Sequence, residues 1–272
     1  MEVADSHGHL TMVFEGGAAR GPSRPPTPAE LQGLIARAQE AGVTRILVPG
    51  TTREDSTRAV EIAEADPSVF AAVGVHPHEA SSFDEDRDLK WMSDLARSPK
   101  VVAVGEIGLD YFYDRSPRDV QRRVVTSQLR FARERSLPVL LHNRESEDDL
   151  LPILEEELPG DPSALRGVFH SFCAGVETGR KAIALGYLVS FSGMITFHAA
   201  ENVREAAAAL PLESMLIETD APFLAPAPFR GKPNEPAYVV RIASRLAEVK
   251  GVPVSDVEKA TTANFRRLFH ME

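Results

Sequence analysis

Seven of the eight histidines in this sequence stand at or just after the end of a short apolar run, a position typical of a shared site. A lone histidine is more often a hydrogen-bonded core or surface residue than a metal ligand. Seven histidines at the same kind of position instead favour a common functional site. Barrel enzymes collect their functional side chains at the carboxyl ends of several strands. The seven are His7, His9, His76, His78, His142, His170 and His198.

A carboxylate also follows one of these runs. The apolar residues Val101–Val104 lead through Gly105 to Glu106, and an unbroken apolar run bounded by glycine is typical of a strand buried on both faces. A bare carboxylate buried there costs several kcal/mol or more unless it is paired or bound to a metal. The sequence therefore predicts cations at the position where this strand is expected to end.

The histidines and acids together predict a centre with two divalent ions. His7 and His9 are two residues apart, so extended backbone directs both rings to the same side. Six ligands exceed the needs of one tetrahedral ion but suit two ions bridged by a carboxylate. Imidazole and carboxylate donors fit Zn, Mn, Co or Mg equally well at this stage. The six candidates are His7, His9, Glu106, His142, His170 and Asp220.

Four further residues have two interpretations each. Arg144 follows His142 by two and either faces the same site or lies in solvent at the next helix. Glu218 either accepts a hydrogen bond from a ligand histidine or pairs with an arginine as a buried acid. Tyr111 and Phe112 either stack on a nucleobase or pack against the protein. Aromatic residues that follow a strand more often pack.

Eight apolar runs alternate with longer helical patterns, and this order predicts one α/β domain over residues 1–272. Eight strand–helix units in this length match a (β/α)8 TIM barrel, for which about 250 residues is typical. A doubly wound open sheet is the main rival, but the first strand is followed by DSHGHL and not by a glycine-rich phosphate turn. The predicted strands are Val3–Ala4, Ile46–Val48, Phe70–Val75, Val101–Val104, Val139–Leu141, Val168–Phe169, Tyr187–Phe191 and Met215–Ile217.

The connecting segments complete the predicted barrel. Thr27, Pro28 and Glu30 have the pattern of a capped helix start. Two proline-containing stretches, Gly16–Pro28 and Pro222–Pro236, are predicted as loops after strands one and eight. Helices are predicted at Pro28–Ala41, Arg53–Ala65, Val120–Arg135, Ser146–Glu157 and Ala200–Leu210, and two closing helices at Ala237–Lys250 and Ser255–Leu268.

Composition narrows the class of protein. A single cysteine, Cys173, excludes an internal disulfide framework and suits a reducing compartment. The N-terminus lacks a basic segment followed by an apolar one, and no apolar run approaches the ~20 residues that span a bilayer. The net charge of −10 argues against coating of nucleic acid. We expect a cytoplasmic monomer without membrane contact.

The motifs DSHGHL, VGVHPH, VGEIGLDY, PVLLHNRE, VFHSF, FSGMITF, ETDAPFLAP and RGKPNEPAYV, with the closing NFRRLF, occur in this order between Asp5 and Phe269. As a set they resemble the successive signatures of the TatD family of metal-dependent deoxyribonucleases. This resemblance implies an amidohydrolase-like TIM barrel that hydrolyses DNA phosphodiester bonds. One departure is His198, which stands where the family pattern would have lysine.

The resemblance also assigns roles. It places His7, His9 and Asp220 on one metal, His142 and His170 on the other, and Glu106 between them. His76 would lie on the substrate side and Arg144 would face phosphate, and either would neutralise charge on the phosphate. Asp220 would accept the proton of a metal-activated water. The predicted substrate is DNA, taken as ends or single strands.

Two other functions fit parts of the pattern. A metal-dependent amidohydrolase acting on a small cyclic amide or ester would use a similar ligand set. Such a site usually adds a lysine from strand four that bridges the metal ions. This sequence has Glu106 at that position and no lysine. A non-catalytic barrel that binds metal or a partner would have no need of ligands at five separate strand ends.

Overall fold

The computed structural model describes residues 2–15, 23–157 and 166–271. Eight strands form one sheet in chain order, and each pairs in parallel with the next along the chain. They are β1 (Val3–Asp5), β2 (Val43–Val48), β3 (Val69–Val73), β4 (Val101–Asp110), β5 (Val139–Arg144), β6 (Gly167–Phe169), β7 (Tyr187–Phe191) and β8 (Met215–Ile217).

The first and last strands meet beyond their carboxyl ends. The amide of Asp220 donates to the carbonyl of His7 at 2.8 Å, and the amide of His9 donates to the carbonyl of Ala221 at 2.7 Å. These contacts bring the chain around into a barrel. The prediction of a (β/α)8 TIM barrel is confirmed, and the open doubly wound sheet is excluded.

Helices cover the outside of the barrel. Helix α1 begins as predicted, with the Thr27 side chain accepting from the amide of Glu30 while Glu30 bonds back to the amide of Thr27. The helices are α1 (Pro28–Glu40), α2 (Arg53–Ala65), α3 (Glu85–Leu95), α4 (Arg118–Arg135), α5 (Glu147–Glu157), α6 (Val176–Ala184), α7 (Glu201–Ala209), α8 (Val239–Lys250) and α9 (Val254–Leu268).

The core has two layers because strand side chains alternate between the two faces of the sheet. In β2, Ile46 and Val48 pack in the outer layer against the helices, whereas Leu47 packs in the inner one. The inner layer takes one buried apolar residue from each of the eight strands. Phe265 and Leu268 of α9 pack against them, so the last helix closes one end of the barrel.

Strand β4 is longer than predicted, and the expectation that it ends at Val104 is wrong. Its pairing register with β5 shifts between Val104 and Ile107, and both of these residues pack in the outer layer. Residues three positions apart normally point to opposite faces of a strand. Because these two point to the same face, the alternation of inner and outer side chains shifts by one residue between them. A shift of one residue moves side chains to the other face. Glu106 and Asp110 consequently point to the inner side, while the strand continues through both.

Gly108 allows β4 and β5 to approach each other. Its φ is +145°, and a Cβ there would lie 1.9 Å from the carbonyl oxygen of His142.

We expect Gly108→Ala to lower the free energy of unfolding by roughly 3 kcal/mol through strain and overpacking. Urea unfolding followed by circular dichroism measures this change. Gly175→Ala is the matched control, because its φ is −75° and a Cβ would meet nothing within 4 Å. Equal midpoints for the two variants would contradict the prediction.

Two predicted loops flank the barrel. The loop Gly16–Pro28 lies partly outside the described residues; beside that gap, Val13–Phe14 and Ser23–Arg24 pair as a short antiparallel ribbon. The stretch Pro222–Pro236 is irregular, as predicted. Among the described residues, no helix combines the length and apolar character needed to cross a bilayer.

Candidate metal centre

The structure brings all six predicted ligands to the mouth of the barrel. They come from five strands: two follow β1, one each lies in β4 and β5, one follows β6 and one follows β8. All lie buried or half-buried at this end of the barrel, although β4 continues beyond Glu106. The six are His7, His9, Glu106, His142, His170 and Asp220.

Glu106 lies at the centre of the cluster and is only 3% exposed. Its Oε1 lies 2.8 Å from Nδ1 of His142, 2.9 Å from Nε2 of His170 and 3.3 Å from Nε2 of His76. Its Oε2 lies 3.4 Å from Nε2 of His7. The two oxygens of one carboxylate therefore face different histidine groups, an arrangement suited to a bridging ligand.

His7, His9 and Asp220 form the other side of the cluster. Their closest atoms are the two Nε2 atoms of His7 and His9 at 3.3 Å, and Asp220 Oδ1 lies 3.5 Å from His9 Nε2 and 3.8 Å from His7 Nε2. Two nitrogens bound at ~2.0–2.1 Å to one tetrahedral ion are separated by ~3.3 Å. The spacing and the donor types of these side chains both fit a divalent ion.

The side chains form three sets of possible metal ligands, and within each set the ligand atoms lie within 4.8 Å of one another. The sets are His7 with His9 and Glu106, His7 with His170 and Asp220, and His76 with Glu106 and His142. This grouping places His76 among the possible ligands, not only on the substrate side. It also groups His170 with His7, although His142 Nδ1 lies only 3.2 Å from His170 Nε2.

Two buried acids orient the ligand histidines. Glu218 Oε1 lies 3.3 Å from Nδ1 of His170, so of its two interpretations the structure shows the acceptor and not the arginine partner. Asp110 was missed by the sequence reasoning. Its Oδ2 lies 3.1 Å from Nε2 of His142 and 2.8 Å from Nε2 of His78. The available signal was its four-residue spacing from Glu106, which puts both on one face of an extended strand.

Burial and charge set the protonation of the metal-free cluster. Burial alone would lower the pKa of His170, but the charges and hydrogen bonds of Glu106 and Glu218 raise its pKa well above the ordinary value. Burial opposes ionisation of Glu106 too, yet the neighbouring histidines hold its pKa well below the usual range. His76 differs, because burial lowers its pKa to about 4. Protons on some histidines therefore balance the carboxylates when no metal is bound.

A cavity of 780 Å³ opens above the cluster. His142, His170 and Asp220 of the cluster line it, and so do Arg144 and Tyr113. Arg144 makes no ion pair with any described residue, and its guanidinium carbon lies 4.3 Å from the ring centre of Phe112 and 4.8 Å from that of Tyr113. The free guanidinium thus lies at the opening that leads to the centre.

The remaining candidates lie outside the cluster. His198 is exposed, and its carbonyl accepts a hydrogen bond from Arg204. Tyr111 packs, as the more common fate suggested: its hydroxyl donates to Asp149 at 2.6 Å. Cys173 lines the cavity, and burial raises the pKa of its thiol. A low-pKa thiolate is what a nucleophilic cysteine needs, so the raised pKa argues against that role.

Comparison with known proteins gives one consistent result. The family model described as TatD related DNase matches residues 4–270. The metal-dependent hydrolase YabD of Bacillus subtilis is 40% identical over 242 residues, covering 89% of this chain and 93% of the relative. The metal-dependent hydrolase YcfH of Escherichia coli K12 is 36% identical over 272 residues, covering 100% and 97%. The crystal structure of YjjV, a TatD homologue from Escherichia coli K12, superimposes with a TM-score of 0.87 at 33% identity, covering 99% and 98%.

Proposed function

Because the chain belongs to the family of TatD related DNases, which are metal-dependent hydrolases, we propose that it hydrolyses DNA phosphodiester bonds with two divalent ions. The observation that carries this proposal is the position of Glu106, whose two carboxylate oxygens face different groups of histidines. A single bridging carboxylate between two ligand sets is what a two-metal clamp on a phosphoryl group needs.

The proposed ligands divide into two groups around Glu106. His7, His9 and Asp220 would hold one ion, and His142 and His170 the other. Buried imidazoles and carboxylates fit Zn, Mn, Co or Mg. Asp110 and Glu218 would fix the ring orientations of His142 and His170 through the hydrogen bonds already described.

Bound ions would stabilise phosphoryl charge and lower the pKa of the attacking water towards about 7. The chain supplies the rest. Asp220 lines the cavity while Glu106 does not, so we assign Asp220 as the general base that accepts the proton of the water. His76 accepts from the amide of His78 at Nδ1, which leaves its proton on Nε2. Because His76 is uncharged near neutral pH, Arg144 is the better candidate to neutralise phosphate charge.

The substrate form follows from charge and shape. With a net charge of −10, the protein is unsuited to wrapping a duplex. A cavity that leads to a buried cluster instead suits a DNA end or a single strand. We propose these as the substrate.

An assay with three substrate classes tests the function. Purified protein is stripped with chelator, reloaded separately with Mg, Mn, Co or Zn, and incubated with labelled single-stranded DNA, duplex DNA and a panel of cyclic amides and esters. We expect metal-dependent release of nucleotides from DNA, fastest from single strands. Intact DNA with every metal, together with cleavage of an amide, would reject the nuclease in favour of an amidohydrolase.

Proton competition gives a prediction for metal binding. In the metal-free protein the pKa values of His142 and His170 are raised by the carboxylates around them, despite burial. Metal must displace these protons, so affinity should rise with pH. We expect affinity for Mn to be at least ~10-fold weaker at pH 6 than at pH 8. Calorimetry in buffers of different ionisation enthalpy measures both affinity and proton release. His198→Gln, which removes an exposed imidazole outside the cluster, should leave both unchanged; affinity independent of pH would contradict the prediction.

A further inference from the structure

Exposed apolar side chains are concentrated at the opening of the cavity. Four large apolar side chains are exposed in the described part of the chain. Two of them line the cavity, Tyr113 at 50% and Phe223 at 37%, and a third, Phe112 at 51%, lies against Arg144, which also lines it. The fourth, Val254, starts α9. Exposed aromatic rings gathered at one opening suggest a surface that a ligand covers.

Asp110 holds the backbone of Phe112 and Tyr113 in place. Asp110 accepts hydrogen bonds from the backbone amides of Phe112 at 3.1 Å and Tyr113 at 2.8 Å. The same carboxylate contacts His142 in the cluster. The backbone that carries the two rings is thereby tied to a proposed metal ligand.

Guanidinium groups accompany these rings. Arg144 lies against both rings, at 4.3 and 4.8 Å from their centres, and Arg115 lies 5.7 Å from the centre of Tyr113. Arginine on an aromatic face keeps donors available for phosphate. Tyr113, Arg115 and Arg144 also line the cavity that leads to the cluster. Phosphate donors and stacking faces therefore stand side by side at this cavity.

We propose that Phe112, Tyr113, Arg144 and Arg115 form a binding site for an unpaired nucleobase and its phosphate, with the base stacked on Tyr113. This site rests on the proposed function and specifies how the substrate is held. Stacking tolerates any sequence because every base has a π-face. It requires a base that is free of a duplex, so the site would select DNA ends and single strands.

Oligonucleotides with and without a base test the site. Single-stranded substrates carry either a natural nucleotide or an abasic tetrahydrofuran unit at each position near the cleaved end. We expect the wild-type protein to prefer the substrate with the base by ~10-fold in kcat/KM at one position, mainly through KM. Tyr113→Ala should reduce this preference to near unity. Tyr113→Phe, which keeps the ring, should retain it.

Val254→Ala is the matched control, because it removes an exposed apolar side chain far from the opening in sequence and should keep the wild-type preference. A nonhydrolysable phosphorothioate strand containing 2-aminopurine gives a second readout. Its fluorescence should be quenched on binding to wild-type protein and much less on binding to Tyr113→Ala. DNA hydrolysis without any preference for the base, or an unchanged preference in Tyr113→Ala, would overturn the stacking site and leave the nuclease function standing. Absence of DNA hydrolysis with every metal would overturn the proposed function, and the site with it.

Discussion

Replacing Glu106 by glutamine is expected to lower kcat for DNA hydrolysis by about 1,000-fold or more, corresponding to ~4 kcal/mol of transition-state stabilisation. Glutamine keeps the volume of the side chain but removes the negative charge between the two histidine groups. It also presents an amide nitrogen, which donates hydrogen bonds and does not bind metal. Bound metal, counted by elemental analysis after gel filtration, should fall from two ions per chain.

The control for this variant is Glu157→Gln. Glu157 is also a largely buried glutamate, but it pairs with Arg130 at 2.6 Å on the outside of the barrel. We expect this variant to retain metal and turnover with at most a modest loss of stability. Circular dichroism should show both variants folded. Wild-type turnover or full metal content in Glu106→Gln would remove the basis for a bridging carboxylate.

Replacing Asp220 by asparagine is expected to lower kcat by about 1,000-fold, because general-base catalysis by a positioned side chain is worth ~10²–10⁴-fold. Asp220 has a φ of +56°, a left-handed conformation that asparagine tolerates far better than alanine does. The amide variant therefore tests the charge without adding backbone strain. Single-turnover rates with saturating metal separate lost proton transfer from weakened metal binding.

Asp114→Asn is the control for this variant. Asp114 also has a positive φ, of 50°, but it pairs with Arg118 in an exposed loop. We expect Asp114→Asn to turn over DNA at nearly the wild-type rate. Equal losses in the two variants would indicate a general effect of removing a carboxylate and would argue against Asp220 as the base.

The sequence predicted the barrel and the meeting of the six ligands because both depend on repeated local patterns. Apolar runs mark strands, and the carboxyl ends of parallel strands share one edge. His142 and Glu106 could therefore be expected near each other although they lie 36 positions apart. For Glu218 the sequence left two interpretations open, and the structure shows its contact with His170. The metal roles of these residues remain predictions for the experiments above.

The course of β4 was harder to predict. The glycines at positions 105 and 108 flank Glu106 and resemble a strand end. Nothing in the local pattern shows that the alternation changes phase there, since the change depends on pairing with β5. Because the strand was predicted to end at Val104, Asp110 was not recognised as a residue on the same face as Glu106. Likewise, helical patterning alone could not show that α9 contributes Phe265 to the inside of the barrel.

The apolar plug of α9 at the far end of the barrel has a consequence for product release. Phe265, Leu268 and Phe269 pack against the inner layer of strand side chains, so the described residues leave no passage through the barrel axis. Under the proposed nuclease function, a cleaved nucleotide must then depart by the opening through which its parent strand arrived. Accumulating product should consequently compete with incoming substrate. A DNA strand that stays bound after cleavage would also block the exit of the nucleotide released from it.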